Sequence, residues 1–339
     1  FIGMSGSGFA MGLAIASYEW MAAATLIIVA IFFLPIYLKN KIYTMPQFLA
    51  QRYSPLVATI MAVFWLLVYV FVNLTSILYL GALAVETISG FSFTFCLIAL
   101  GIFAIIITLG GMKVIGYTDV IQVLVLILGG LATTYLALEL VSKQLGGDGV
   151  WDALGLIHRN ASDHFHLILE EGQLMIPDGR GGMEDAYQKL PGMAVLIGAM
   201  WIANLNYWGC NQYITQRAHG ADLKTARAGV LFSAFLKLLM PVIVVLPGIA
   251  AYVLYKEGLF QEEMTDTIRL GDNEVRRVLK SDKAYPVLLN LLPVGLKGLS
   301  FAALTAAIVA SLAGKANSIS TIFTLDLYKK YFNRGASEA

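Results

Sequence analysis

Charged residues are scarce in this sequence. Only 13% of its 339 residues are Asp, Glu, Lys or Arg, whereas 58% are hydrophobic, and the mean hydropathy is +0.74. A soluble domain of this length needs more charged surface, so the composition predicts a membrane protein embedded in a lipid bilayer. The net charge is +1, and Lys and Arg occur singly or in pairs between apolar runs. The lack of a continuous basic face argues against nucleic-acid binding.

Cysteine is scarce as well. The two cysteines, Cys96 and Cys210, lie in separate apolar segments, which favours two buried hydrophobic residues over a disulfide. No basic stretch precedes the first apolar run, as one would in a signal peptide. The opening residues FIGMSGSGFA instead indicate the interior of a helix. We therefore expect the sequence to be a piece of a longer protein.

Apolar runs of about 18 residues predict membrane-spanning helices. A part-helix is expected at 1–17, and full spans at about 21–38, 56–88, 93–110, 116–141, 191–216, 228–254 and 293–323. Two long polar segments, about 142–190 and 255–286, are expected to be external loops. Lys and Arg fall in every second short connection, which places those connections in the cytoplasm. Residues 1–339 are thus expected to form a single transmembrane domain of a multi-pass protein in the plasma (inner) membrane.

The first polar segment contains three histidines, His158, His164 and His166, close to several acidic residues. Metal ligands usually follow a regular spacing, which these residues do not show. The composition therefore favours a solvated loop over a metal site.

The stretch ANLNYWGCNQYITQR is unusually polar for a segment between apolar runs. Six of its polar or amphipathic residues recur with the period of one helix face: Asn204, Tyr207, Trp208, Asn211, Gln212 and Thr215. Two such residues would be explained by hydrogen bonds between helices, but six indicate the wall of a wet cavity. Amides and a phenol bind hydroxyl groups, and an aromatic ring stacks on the apolar face of a sugar. The stripe therefore favours a sugar-like solute.

Ionisable side chains inside the predicted spans each need a cavity or a partner, because lipid solvates charge poorly. Lys237 either reaches toward the headgroups or donates hydrogen bonds to a solute in a central cavity. Glu19, taken alone, favours a solvated carboxylate in an interfacial aromatic belt with Tyr18 and Trp20. Asp119 lies near a helix start, where a carboxylate complements the helix dipole without any functional role.

Small residues dominate one face of the last predicted span, in the sequence SFAALTAAIVASLAGKANSISTIF. Ala307, Ala310, Ser311 and Gly314 allow a neighbouring helix to approach closely. A carbonyl or hydroxyl at such a crossing suits a dehydrated cation, although helix packing alone also explains the pattern. Lys315 follows one turn beyond Ser311 on the same face, which is an unexpected neighbour for a cation.

Several blocks of the sequence resemble, in order, the sugar branch of the sodium/solute symporters, the sodium/glucose cotransporter family. They are GLAIASYEWMAA, FVNLTSILYLGALAVET, TDVIQV, LPGMAVLIGAMW, YWGCNQYITQR, FSAFLKLLMPVIVVLPGIAAYV, DKAYPVLLNLLPVGLKGLSFAALTAAIV and NSISTIFTLDLYKKY. The resemblance implies an all-α polytopic fold of the leucine-transporter type, with inverted repeats and alternating access around a midplane site. It also implies that this chain is truncated at both ends, because it starts after the break in the first core helix and ends before the last two core helices.

The resemblance carries residue roles onto this sequence. Glu19, Asn204 and Lys237 match contacts to sugar hydroxyls, and Tyr18 lies beside the outer side of that pocket. Tyr207 matches an aromatic gate toward the cytoplasm, with Trp208 next to it. The implied sodium ion would be bound by the Ala307 carbonyl and the Ser311 hydroxyl, and Asp119 matches an acidic residue on the sodium exit route. The implied activity is sodium-coupled symport of a galactose- or glucose-like sugar.

Two departures from the family pattern concern the cation. Ala310 replaces one of two adjacent hydroxyl residues, so the sodium shell loses an oxygen, and Lys315 adds a positive charge nearby. We hypothesise weak sodium binding at Ala307 and Ser311, with the Lys315 side chain extending into a hydrated cytoplasmic vestibule. Proton-coupled or uncoupled sugar transport stays open as an alternative.

Ala22 stands where sugar-transporting relatives can carry a serine, so the set of hydroxyls recognised can also differ. Symport of another organic solute, such as a polyol or sialic acid, remains an alternative. A polytopic membrane enzyme is a third interpretation. It would need a nucleophile, a metal set or an acid–base pair converging within the membrane, and the sequence indicates none.

Overall fold

The computed structural model describes residues 1–179, 181–270, 274–333 and 335. The first helix, α1 (Ile2–Met11), ends at Gly12, which has a φ of 64° and begins a 3-10 turn, Gly12–Ile15. A Cβ atom at Gly12 would lie 2.1 Å from the carbonyl oxygen of His164, so only glycine fits there. The second helix, α2 (Ala16–Ile28), follows at once. The sequence placed the boundary between the part-helix and the first full span between residues 17 and 21. In the structure, this boundary lies near residue 12.

The remaining α-helices, in chain order, are α3 (Leu34–Lys39), α4 (Met45–Arg52), α5 (Pro55–Leu67), α6 (Thr75–Ser89), α7 (Phe93–Leu109), α8 (Gly111–Leu145), α9 (Val150–Asn160), α10 (Ala186–Lys189), α11 (Gly192–Ala194), α12 (Met200–Leu205), α13 (Gln212–His219), α14 (Leu223–Lys256), α15 (Ala284–Leu289) and α16 (Val294–Ile322). Wider π-helical stretches continue several of them, at Val29–Phe33, Val68–Leu74, Val195–Ala199, Asn206–Cys210 and Phe323–Phe332. Two further 3-10 turns are Ser162–Phe165 and Ser281–Lys283.

Within the described residues, six helical segments are long and apolar enough to cross a membrane. They are Ile2–Lys39, Pro55–Ser89, Asp119–Leu145, Ala186–Cys210, Leu223–Lys256 and Val294–Phe332. The predicted span at 93–110 is observed as a 17-residue apolar helix, α7. The predicted polytopic helical fold is confirmed.

Close helix packing positions the core. Helix α14 packs on α1, α2 and α8, whereas α16 packs on α6, α7 and α8. Glycines make the α1–α14 crossing possible: a Cβ atom at Gly248 would lie 2.2 Å from the carbonyl oxygen of Ser5, and one at Gly8 would lie 2.7 Å from that of Val245. Such small residues let backbones approach where lipid offers no hydrophobic driving force between helices.

Parts of the two long polar segments pack on the helices, whereas His158 and His166 are exposed. The first contains α9 and a hairpin of β1 (Met175–Pro177) and β2 (Met183–Asp185), and the second a hairpin of β3 (Thr265–Leu270) and β4 (Glu274–Leu279). His164 is buried, its Nε2 lies 3.0 Å from the Phe9 carbonyl oxygen, and its ring stacks on Tyr252. The predicted solvated state of the histidine loop is therefore wrong at His164, because this side chain holds the end of α1.

Candidate functional site

The polar stripe predicted to follow one helix is divided at Asn211. The helical stretch ends at Cys210, and Asn211 has an extended backbone. Its Oδ1 accepts a hydrogen bond from the Tyr213 backbone at 3.1 Å, which starts α13. The prediction of a single six-residue face is therefore wrong, because an Asn side chain can cap a new helix as well as continue an old one.

The C-terminal half of that stripe is structural. Gln212 is 1% exposed, its Oε1 accepts from the Met45 backbone at 3.0 Å and its Nε2 donates to the Tyr43 carbonyl oxygen at 2.9 Å. The Thr215 hydroxyl donates to the Asn211 carbonyl oxygen. These amides and hydroxyls satisfy the backbone at a helix break, so the solute-facing interpretation stays a prediction only for the half that contains Asn204, Tyr207 and Trp208.

Glu19 and Lys237 form an ion pair between two spans. The Lys237 Nζ lies 2.7 Å from the Glu19 Oε2, and the two side chains are 22% and 10% exposed. Glu19 lies in the first turn of α2, and Lys237 lies on α14, which packs along it. The interfacial, solvated Glu19 favoured by the sequence alone is therefore wrong, because α2 begins before this residue and buries it against α14.

Two more predicted site residues join this pair from a third helical segment. The Lys237 Nζ lies 4.9 Å from the centre of the Trp208 ring, a cation–π distance. The Trp208 Nε1 donates to the Asn204 Oδ1 at 3.2 Å, and the Asn204 Nδ2 donates to the Met200 carbonyl oxygen. Glu19, Lys237, Trp208 and Asn204 are thus one connected group, which we call the Glu19 cluster.

Tyr207 and Tyr18 lie at the margins of the cluster. The Tyr207 ring meets the Trp208 ring edge to face, with centroids 5.0 Å apart. Tyr18 is 37% exposed and Tyr207 is 42% exposed. Tyr207 also lines a neighbouring cavity of about 470 Å³, so it lies between that cavity and the Glu19 cluster.

This neighbouring cavity brings together the predicted cation residues. Ala307 and Ser311, one turn apart on α16, both line it, and so does Lys315 one turn further. A backbone carbonyl and a hydroxyl are hard oxygen donors of the kind that sodium takes, so the chemistry of these two residues fits the ion. The neighbouring ammonium works against it.

Lys315 does not extend into a hydrated vestibule. The residue is 2% exposed, and its Nζ has no hydrogen-bond partner within the described part of the chain. The Nζ lies 4.2 Å from the Tyr69 ring centre and 4.6 Å from that of Tyr213. The expectation of a solvated side chain is therefore wrong, because two aromatic faces enclose the ammonium beside α16.

Asp119 lies apart from Ala307 and Ser311. Its Oδ2 pairs with the Arg217 guanidinium at 3.0 Å, and Arg217 lies 4.9 Å from the Tyr213 ring centre. Sequence reasoning missed Arg217, Tyr213 and Tyr69 as neighbours of the predicted cation residues. The sequence does contain the aromatic and cationic residues that surround Lys315 in the structure. They lie at positions far apart in the chain.

The sequence matches the sodium:solute symporter family over residues 1–339. It is 48% identical over 335 residues to a sodium/glucose cotransporter of Vibrio parahaemolyticus, and 32% identical over 346 residues to sodium/myo-inositol cotransporter 2 of Homo sapiens. These matches cover 98% and 97% of this chain, which spans 59% and 48% of the two relatives.

The fold is similar to that of a Na+-coupled sialic acid symporter solved in a substrate-bound, outward-open state. The TM-score is 0.76 at 21% identity, and the match covers 98% of this chain and 64% of the other. This similarity confirms the predicted leucine-transporter-like fold. The family match over residues 1–339 agrees with the two relatives and with the helical architecture. The chain belongs to the sodium:solute symporter family.

Proposed function

We propose that this chain takes part in sodium-coupled symport of a neutral sugar by alternating access, in the plasma (inner) membrane. The observation that carries the proposal is the Glu19–Lys237 pair, buried between α2 and α14 beside Trp208 and Asn204. The relative from Vibrio parahaemolyticus, itself called a sodium/glucose cotransporter, supports the substrate class.

The Glu19 cluster offers a sugar complementary groups. The Glu19 carboxylate accepts hydrogen bonds from hydroxyls, and the Lys237 ammonium donates to them. Each group satisfies the other in this structure at 2.7 Å, so a solute that inserts two hydroxyls replaces one buried contact by two of similar strength. The polar groups in this proposal bind and orient a solute, and no covalent bond is made or broken.

Charge balance favours a neutral polyhydroxylated solute over an acidic one. The Glu19 carboxylate already neutralises the Lys237 ammonium, so the negative charge of a carboxylated sugar would be left without a compensating cation. A galactose- or glucose-like sugar therefore fits better than sialic acid. A polyol is the second candidate, supported by the relative called a sodium/myo-inositol cotransporter.

Sodium would be held by the Ala307 carbonyl and the Ser311 hydroxyl, and its movement down its gradient together with the sugar would supply the driving force. Tyr207 lines the cavity of these two residues and also contacts Trp208 of the Glu19 cluster. A side chain in contact with both sites is suited to be the gate between them, because its movement affects both. Asp119 and Arg217 would lie on the cytoplasmic route of the ion.

Uptake by the full-length protein in proteoliposomes tests the proposal. Labelled galactose, glucose and myo-inositol are offered with an inward gradient of sodium or of choline. We expect sodium-stimulated uptake of at least one of these solutes, and a loss of about tenfold or more in Glu19→Gln, which removes the charge that accepts hydroxyl hydrogens.

Glu139→Gln is the matched control. Glu139 pairs with Lys143 one turn away on α8, in a contact outside the Glu19 cluster, and its uptake should stay within about twofold of the parent. Uptake that is insensitive to sodium, or equal in Glu19→Gln and Glu139→Gln, would reject the proposed function.

A further inference from the structure

Lys315 has an environment that neither the Glu19 cluster nor helix packing explains. It lies on α16 on the same face as Ala307 and Ser311, and all three residues line the same cavity. Its Nζ is buried without a hydrogen-bond partner among the described residues, and no described residue that lines this cavity is acidic. A buried ammonium that lacks a carboxylate is costly, so its retention requires a reason.

The surroundings of the ammonium are specifically arranged. The Tyr69 hydroxyl donates to the Asn211 Oδ1 at 2.8 Å and accepts from the Gln212 backbone at 3.1 Å, which fixes one ring. The other ring, of Tyr213, lies against α16 where Gly314 leaves room: a Cβ atom there would lie 2.7 Å from the Tyr213 Cε2. We call Tyr69, Tyr213, Gly314 and Lys315 the tyrosine box.

The tyrosine box brings three parts of the chain together at the Lys315 ammonium. Lys315 belongs to α16, Tyr213 to α13 and Tyr69 to the π-helical stretch Val68–Leu74. Two aromatic faces stabilise a positive charge without neutralising it, unlike a carboxylate. No acidic residue of the described lining therefore neutralises Lys315 in the cavity that Ala307 and Ser311 line.

We infer that the Lys315 ammonium is a tethered cation that competes electrostatically with sodium at Ala307 and Ser311 and so sets a low sodium affinity. This inference rests on the proposed sodium-coupled function. Two positive charges within a few ångströms repel each other strongly in a poorly hydrated site. Ala310, next to Ser311 on α16, supplies no side-chain oxygen to offset the repulsion.

The test compares the parent with Lys315→Met, which removes the charge but keeps the length of the side chain. Sodium-dependent thermal stabilisation of the full-length protein in detergent, relative to choline at equal ionic strength, measures ion binding without transport. Sodium titration of sugar uptake gives an independent half-saturation. We expect Lys315→Met to lower both sodium midpoints about tenfold, which corresponds to about 1.4 kcal/mol.

Three further variants make the result specific to charge. Lys315→Gln is the second neutral variant and should also lower the midpoint, which covers the case in which Lys315→Met is not recovered folded. Lys315→Arg keeps the charge and should keep the parent midpoint. Lys297→Met removes a lysine from the same helix, outside the described lining of the cavity, and should change nothing.

The outcomes separate this inference from the proposed function. Sodium midpoints that agree within about twofold in the parent and both neutral variants would overturn the tethered cation while leaving sodium coupling in place. A midpoint lowered equally by Lys315→Arg would also overturn it, because the effect would then not follow charge. If sodium neither stabilises nor stimulates the parent or the neutral variants, the proposed sodium coupling itself fails.

Discussion

Lys237 and Lys315 lie in two different membrane-spanning segments, and their surroundings differ. Lys237 lies 2.7 Å from the Glu19 carboxylate and over the Trp208 ring, whereas Lys315 contacts two tyrosine rings and has no carboxylate partner among the described residues. The first charge is neutralised and leaves a site of balanced donors and acceptors. The second keeps its full charge. A lysine side chain is thus suited to bind a neutral solute in the Glu19 cluster and to repel a cation in the tyrosine box.

The largest expected effect comes from breaking the neutralised pair. Lys237→Met leaves the buried Glu19 carboxylate without its cation, at a cost of about 3 kcal/mol, so sugar uptake should fall about a hundredfold. Lys256→Met on the same helix is the control, because Lys256 is exposed and donates to the Asn160 carbonyl oxygen outside the cluster. Uptake in Lys237→Met above about a tenth of the parent would contradict the role of the pair.

A smaller loss is expected when the support of Trp208 is removed. Asn204→Ala deletes the oxygen that accepts from the Trp208 Nε1, and the lost hydrogen bond with the lost solute contact should lower uptake about tenfold. Asn160→Ala, at an exposed position at the end of α9, serves as the control. Equal uptake by both variants would show that Asn204 only stabilises its own helix.

The tyrosine box can be distorted without touching a charge. Gly314→Ala places a methyl group 2.7 Å from the Tyr213 Cε2 and should destabilise the protein by about 1–3 kcal/mol in thermal unfolding. Gly101→Ala, in helix α7 with open space at its Cβ position, should instead stabilise by up to about 1 kcal/mol. The packing of Tyr213 on α16 would be contradicted by equal unfolding temperatures for the two variants.

The smallest effect should follow from adding an oxygen beside the charge. Ala310→Ser supplies a second hydroxyl next to Ser311 and should lower the sodium midpoint of uptake about threefold, less than removal of the Lys315 charge. Ala313→Ser, three residues further on α16, is the control because Ala313, unlike Ala310, is not adjacent to Ser311. A sodium midpoint unchanged by Ala310→Ser would place the ion away from this turn.

Local rules predicted only part of the Glu19 cluster. Asn204 and Trp208 are one helical turn apart, so their proximity follows from the helical period, whereas the family resemblance grouped Glu19 with Lys237 and Asn204. The polytopic helical fold followed from the length and order of the apolar runs, and the leucine-transporter-like arrangement from the resemblance to the symporter family. The helical period predicts that Trp208 and Asn204 lie close enough to form a hydrogen bond. It does not predict the distance between Glu19 and Lys237.

The rest depended on contacts between distant parts of the chain. The periodic pattern continues past Asn211 although the helix ends there, because a capping Asn and a helix-face Asn look the same in sequence. The contacts of Lys315 are with Tyr69 and Tyr213, which are aromatic residues on other elements. Because the sequence does not show these contacts, we expected the Lys315 side chain to reach water. His164 packs under the end of α1 through a tertiary contact that its loop composition does not indicate.

The central claim is that the Glu19–Lys237 pair binds a neutral sugar whose affinity depends on sodium. Its most direct measurement is thermal stabilisation of the purified full-length protein by galactose, glucose or myo-inositol, in sodium and in choline, for the parent and Glu19→Gln. A sugar at 100 times its dissociation constant should stabilise the parent by ~2.7 kcal/mol in sodium and by less in choline, and a tenfold weaker site in Glu19→Gln should reduce this stabilisation to about 1.4 kcal/mol. Equal stabilisation of the parent and Glu19→Gln by the same sugar would contradict the account.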